Sequence, residues 1–250
     1  MDPDTGIGGS QDRFPITRRS AIEGLRSQDP AERSRAFDAL VTAYWKPAYK
    51  YTRLKWQASN EEAKDLVQGF FVRAFEKGFF ADYDPAKASF RTYLRVCLDG
   101  FVSNERKAAG RLKRGGAQTL LSLDFDGAEQ ELRLREPAGG ATPEQFFHQE
   151  WVRGFFSLAV DQLRAECEAR GKAAHFRLFE RYDLEEAGAE KTTYEQLAAE
   201  EGIPVSSVTN YLAFARRQFR RIVLERLREI TGGEQEFRRE ARFLLGVDPG

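Results

Sequence analysis

The chain has few of the residues that build cross-links and metal sites. It holds two cysteines and two histidines among 250 residues. Cys97 and Cys167 lie far apart, each in an apolar helical setting. That excludes a disulfide framework and points to free, buried thiols in a reducing, cytoplasmic setting. His148 and His175 have no neighbouring ligand at metal spacing, so no zinc site and no metal or cofactor is expected. No apolar run is long enough to span a membrane, and no secretory signal opens the chain. Net charge is also missing: 39 basic residues balance 39 acidic ones. That excludes a protein that coats nucleic acid by bulk charge. Strand pairs are absent from the pattern, and no residues form a catalytic constellation, so the chain is not expected to be an enzyme.

What remains is helix and local charge. Arg106, Lys107, Arg111, Lys113 and Arg114 form one basic cluster, and Arg216, Arg217, Arg220, Arg221, Arg226 and Arg228 form another. Between them Asp124, Asp126, Glu129, Glu131 and Glu136 make an acidic stretch. Two basic patches on either side of an acidic tether suggest two contact points on one polyanion.

Helix start signals punctuate the sequence. Asp29-Pro30-Ala31-Glu32, Ser59 with Glu62, and Thr142-Pro143-Glu144-Gln145 are capping patterns. Pro47 is expected to interrupt or restart the first long helix, and Gly78 to end the second. A further long helix starts at Phe90 and runs through the basic cluster to Gly115-Gly116. Its Phe90 and Phe101 fall on the core face by spacing. The expected fold is all-α: two helical domains, residues 14–116 and 142–231, joined by a flexible acidic linker at 117–141. A disordered leader (1–13) precedes them and a C-terminal extension (232–250) follows.

The segment from Thr192 to Leu227 carries the clearest motif, a helix-turn-helix. Thr192 with Glu195 opens a first helix, Gly202-Ile203-Pro204 makes a tight turn, and Val208, Leu212, Ala215 and Phe219 form the core stripe of a second. The opposite face shows Ser206, Ser207, Thr209, Asn210, Arg216, Arg217 and Arg220. Short polar groups in front suit base edges, and arginines behind them suit phosphates.

The order of these parts resembles a bacterial sigma factor of the extracytoplasmic-function group. Asp65-Leu66-Val67-Gln68 followed by Phe70-Phe71 is similar to the second conserved region of the sigma N-terminal domain. Phe90-Arg91-Thr92-Tyr93-Leu94 is similar to the start of the third, and Asn104-Glu105-Arg106-Lys107 through Lys113-Arg114-Gly115-Gly116 to the basic segment after it. Tyr194-Glu195-Gln196-Leu197-Ala198 through Phe219 resembles the promoter-reading C-terminal domain. Tyr44-Trp45-Lys46-Pro47, Thr142-Pro143-Glu144 and Trp151 also resemble a subgroup with a long linker and a C-terminal extension. Together the likeness covers residues 14–245.

The resemblance implies core RNA polymerase and promoter DNA as partners, and promoter recognition with strand opening as the task. It assigns Asp65, Gln68 and Phe71 to polymerase docking. Tyr93, Asn104, Arg106, Lys107, Arg111, Lys113 and Arg114 would hold the melted promoter, and Ser206, Ser207, Thr209, Asn210, Arg216, Arg217 and Arg220 the upstream element. A Ser/Thr kinase or an anti-sigma factor would be the regulator. Two departures stand out. Lys64 puts a positive charge on the docking ridge, which an added phosphate could offset, and Gly100 stands where relatives commonly have Asn. Two other readings compete: a stand-alone helix-turn-helix regulator binding an operator, which has no need for the Asp65–Gln68 helix, and a helical adaptor that binds no DNA, which fits the neutral net charge but not the two basic clusters.

Overall fold

The computed structural model describes residues 20–109, 123–134, 140–185 and 192–246. These residues are all-helical, with no strand among them. No helix among them is long and apolar enough to cross a membrane. The leader lies outside the described residues.

A four-residue turn of helix, α1 (Ala21–Gly24), precedes α2 (Pro30–Lys55). Asp29 caps α2 as its sequence suggests, and Pro30 occupies the first turn, where a missing N–H costs nothing. Pro47 does not interrupt the helix, contrary to expectation. An interior proline costs about 3 kcal/mol in isolation. Here Tyr44, Ala48, Tyr49 and Tyr51 around it are buried, and packing on this scale outweighs the lost bond. Then come α3 (Asn60–Lys77), capped by Ser59 and ended by left-handed Gly78, and α4 (Phe90–Ala109). The remainder of the basic cluster, with Arg111, Lys113 and Arg114, lies outside the described residues.

The acidic tether needs correction. Residues Phe125–Leu134 form a helix, α5, docked on α2. Phe125 packs edge-on against Trp45 and Tyr49, and Ala128 and Glu129 are buried. Glu129 accepts hydrogen bonds from Tyr49 Oη at 2.6 Å and Arg53 Nη2 at 2.8 Å. Glu131 bridges Lys46 and Lys50 at 2.9 and 2.8 Å. An acidic segment that looks like a solvated tether is held because α2 offers it cations and an aromatic shelf.

The long helix α6 (Pro143–Ala169) starts with the expected Thr142–Gln145 capping box. Its buried stripe is Phe147, Trp151, Phe155, Ala159, Leu163 and Cys167, one residue in four. At 3.6 residues per turn, each step of four turns the stripe by about 40°, and five steps by about 200°. The first half of α6 therefore faces α2 and the second half faces the C-terminal helices. Tyr44 stacks on Trp151 (centroids 6.1 Å apart) and Tyr51 meets Phe147 edge-on. Further along, Phe156 stacks on Phe219, and Arg221 and Arg226 bond Glu166 and Gln162. The buried side chains form one continuous cluster across both halves of the chain.

The C-terminal half adds α7 (Ala173–Phe179) with a π-helical turn at Glu180–Leu184, then α8 (Tyr194–Glu201), α9 (Val205–Ile230) and α10 (Glu234–Leu245).

Candidate nucleic-acid interface

The helix-turn-helix is built from α8 and α9. Its N-cap is Thr193, paired with Gln196 in a full capping box, one residue later than Thr192 with Glu195. Both threonines have a suitable partner three residues on, and Leu197 and Ala198 decide the register by turning inward. Gly202 ends α8 in the left-handed region at φ 65°, which a residue with a Cβ adopts only at a cost. Pro204 then sets the extended backbone from which α9 starts. Val208, Leu212 and Ala215 are fully buried, as their spacing suggests, and Phe219 packs against the core edge.

The outward face of α9 has two zones. Ser206, Thr209 and Asn210 are exposed, and Ser207 is half-buried. Arg217 and Arg220 are exposed and form no ion pair among the described residues. From Ser206 to Arg220 the helix advances about 21 Å, more than the roughly 12 Å width of a major groove. The front polar residues can therefore enter a groove while the rear arginines meet the phosphates bordering it. The first turn of α9 has no acidic residue and no side-chain cap. By contrast, α3, α6 and α8 carry acids there. The positive end of α9 is thus left open to an anion.

Arg216 departs from this scheme. Its guanidinium makes a two-pronged pair with Asp183 at 2.8 and 2.9 Å and lies over the Tyr182 ring. The Asp183 hydrogen bonds hold its pKa above the ordinary value. It ties α9 to the π turn, so it braces α9 and is not a free cation on the outward face.

The second surface lies on α3 and α4. Of the docking candidates, Asp65 is exposed, whereas Gln68 and Phe71 are buried. Phe71 meets Phe37 and Phe70 edge-on, so it is a core residue; its assignment to docking is corrected. Gln68 is 7% exposed and can offer only an edge. Lys64, the odd charge on this ridge, is answered from within the chain by Glu61 and by Asp126 of α5, each at 3.2 Å.

On α4, Phe90 and Phe101 are buried, as expected. Tyr93 is half-buried, its hydroxyl donating to the Phe79 carbonyl at 2.7 Å, and burial pushes its phenol up to about 12. It therefore serves packing more than base stacking. Arg106 pairs with Glu62 at 2.9 Å over the Trp56 ring. Asn104 and Lys107 are exposed. Asn104 lines a groove of about 430 Å³ with Arg73, Phe79, Cys97, Gly100 and Phe101. No Cβ neighbour crowds Gly100, so an added side chain would project into open space.

Both thiols are free; Cys167 is buried and Cys97 half-buried. No cluster of three or more metal-ligating side chains occurs among the described residues. Comparison with known proteins gives no relative: no family model, no curated protein and no solved structure matches the chain.

Proposed function

We propose that the chain is a sigma factor: it binds core RNA polymerase, reads promoter DNA through two surfaces and helps to open it. One observation carries the reading most. The front of α9 presents Ser206, Thr209 and Asn210 outward over a core of Val208, Leu212 and Ala215, with Arg217 and Arg220 exposed behind. This is the division of labour that groove reading requires. The second surface adds a mixed groove where Asn104 and Arg73 stand beside Phe79 and Phe101, and an exposed acid at Asp65.

The stand-alone regulator is favoured by a different observation, the continuous core that joins the two halves. A single compact unit suffices for operator binding. The two readings part in one binding experiment with purified core polymerase and duplex DNA. A sigma factor binds polymerase directly, loses affinity on Asp65→Ala, and shows sequence-specific DNA binding only in the complex. Specific duplex binding without polymerase, and none to polymerase, would overturn the proposal.

A further inference from the structure

The last helix, α10, makes contacts that packing alone does not require. Glu236 is buried, and its carboxylate accepts two backbone N–H groups at 2.7 Å, from Phe90 at the start of α4 and from Gly232. The first turn of α4 holds no acid of its own. A carboxylate 146 residues away in sequence therefore satisfies the positive end of this helix. One turn along, Glu240 pairs with Arg91 of α4, and both side chains are largely buried. The Arg91 guanidinium is held between the Trp151 ring of α6 and the Phe243 ring of α10, 4.9 and 5.3 Å from their centroids. Gly232 lies so close to Tyr83 that a Cβ there would sit 2.7 Å from its ring. Arg95, the next cation on this side of α4, lies 3.6 Å from Glu144 of α6.

At the start of α4 the acids come from the C-terminal half: Glu236 meets the first N–H and Glu240 meets Arg91. Further along, Arg95 is shared between Glu144 of α6 and Asp99 of α4 itself. Freed of Glu236 and Glu240, Arg91 and the start of α4 would offer an anion such as a phosphate a place to bind. We infer that α10 is an intramolecular latch: Glu236 and Glu240 occupy the anion-binding start of α4 and hold the chain in a closed, self-masked form. The masking part of this inference rests on the nucleic-acid reading of α4 proposed above. The latch itself does not, and the two can be tested apart.

Trp151 is a native reporter, since it lies under Arg91. In a full-length Trp45→Phe, Trp56→Phe background it is the sole tryptophan. Two readouts are taken on this protein: acrylamide quenching of Trp151, and affinity for a labelled 20-nucleotide single-stranded DNA at low salt. E236Q/E240Q should raise both the quenching and the DNA affinity, the latter by about tenfold. The charge swap R91E/E240R, which re-forms the pair in reverse, should keep Trp151 protected. Circular dichroism checks that each variant is folded, and E236Q alone is the milder substitute should the double variant unfold. Greater quenching with unchanged DNA affinity would support the latch and overturn the nucleic-acid reading of α4. A folded E236Q/E240Q protein whose Trp151 stays protected would overturn the latch.

Discussion

The ammonium of Lys50 lies 2.5 Å from the carboxylate of Glu150, and both side chains are almost wholly buried where α2 meets α6. Glu131 of α5 reaches the same ammonium, and Arg153 the same carboxylate. This pair locks the two halves of the chain in register. Truncating Glu150 takes from the buried Lys50 ammonium its buried partner and leaves it the more exposed Glu131. Glu150→Ala should lower the unfolding free energy by about 3 kcal/mol, whereas K50M/E150L should stay within about 1 kcal/mol of the parent or exceed it. Urea denaturation at neutral pH measures both. Equal losses in the two variants would show that the charges, rather than the packing around them, carry the contact.

The seat of α5 should be sensitive to acid. The Arg53 hydrogen bonds, with help from Tyr49, hold the Glu129 carboxyl down to about 2. An unfolded glutamate titrates near 4.3. The stabilisation is therefore fully present above that value and is lost as pH falls towards about 2. Phe125 rests on Trp45, with centroids 5.3 Å apart, so in a Trp56→Phe, Trp151→Phe background tryptophan emission reports the docking. An emission change between about pH 4.3 and 2 is expected, shifted or abolished by Glu129→Gln. A flat emission profile across that window would count against the docked helix.

Much of the architecture was legible because its causes are local. The caps at Asp29, Ser59 and Thr142 and the stop at Gly78 depend on a few adjacent residues, and they stand where their patterns place them. Pro47 misleads because the compensation comes from burial of tyrosines on α2, which no local rule registers. The docked α5 was hidden for the same reason: its signal is charge, and its partners Lys46, Lys50 and Arg53 lie roughly 80 residues earlier. In the candidate site, spacing finds the exposed face of α9 but cannot see that Asp183 takes Arg216. The role of α10 had no sequence signature, because Glu236 caps a helix far from it along the chain.

The two zones of α9 should separate by salt and by sequence. Asn210→Ala should weaken specific DNA binding by about 1–3 kcal/mol while changing stability by less than about 0.5 kcal/mol. Arg217→Ala and Arg220→Ala should weaken binding to all sequences and each lower the log–log salt slope by about 1. Titrations of the polymerase complex at several salt concentrations check this. If Arg217→Ala changes which sequence is preferred, the front-and-rear division is wrong.

The turn between α8 and α9 carries a backbone requirement. Gly202 has φ 65° with open space around its missing Cβ, so the only penalty of a side chain is conformational. Gly202→Ala should cost about 1 kcal/mol. Leu212→Ala, at a fully buried position, should cost about 2–5 kcal/mol. Thermal unfolding of the two variants should keep that order.

Promoter-directed transcription by the chain is checked by multi-round transcription with core RNA polymerase. The template is a pool of promoters from the protein's own genome. Transcripts that depend on the protein, fall sharply with Asn210→Ala and Asp65→Ala, and share a sequence upstream of their start sites are expected. Polymerase that initiates no differently with and without the folded, unlatched protein would contradict promoter-directed transcription by the chain.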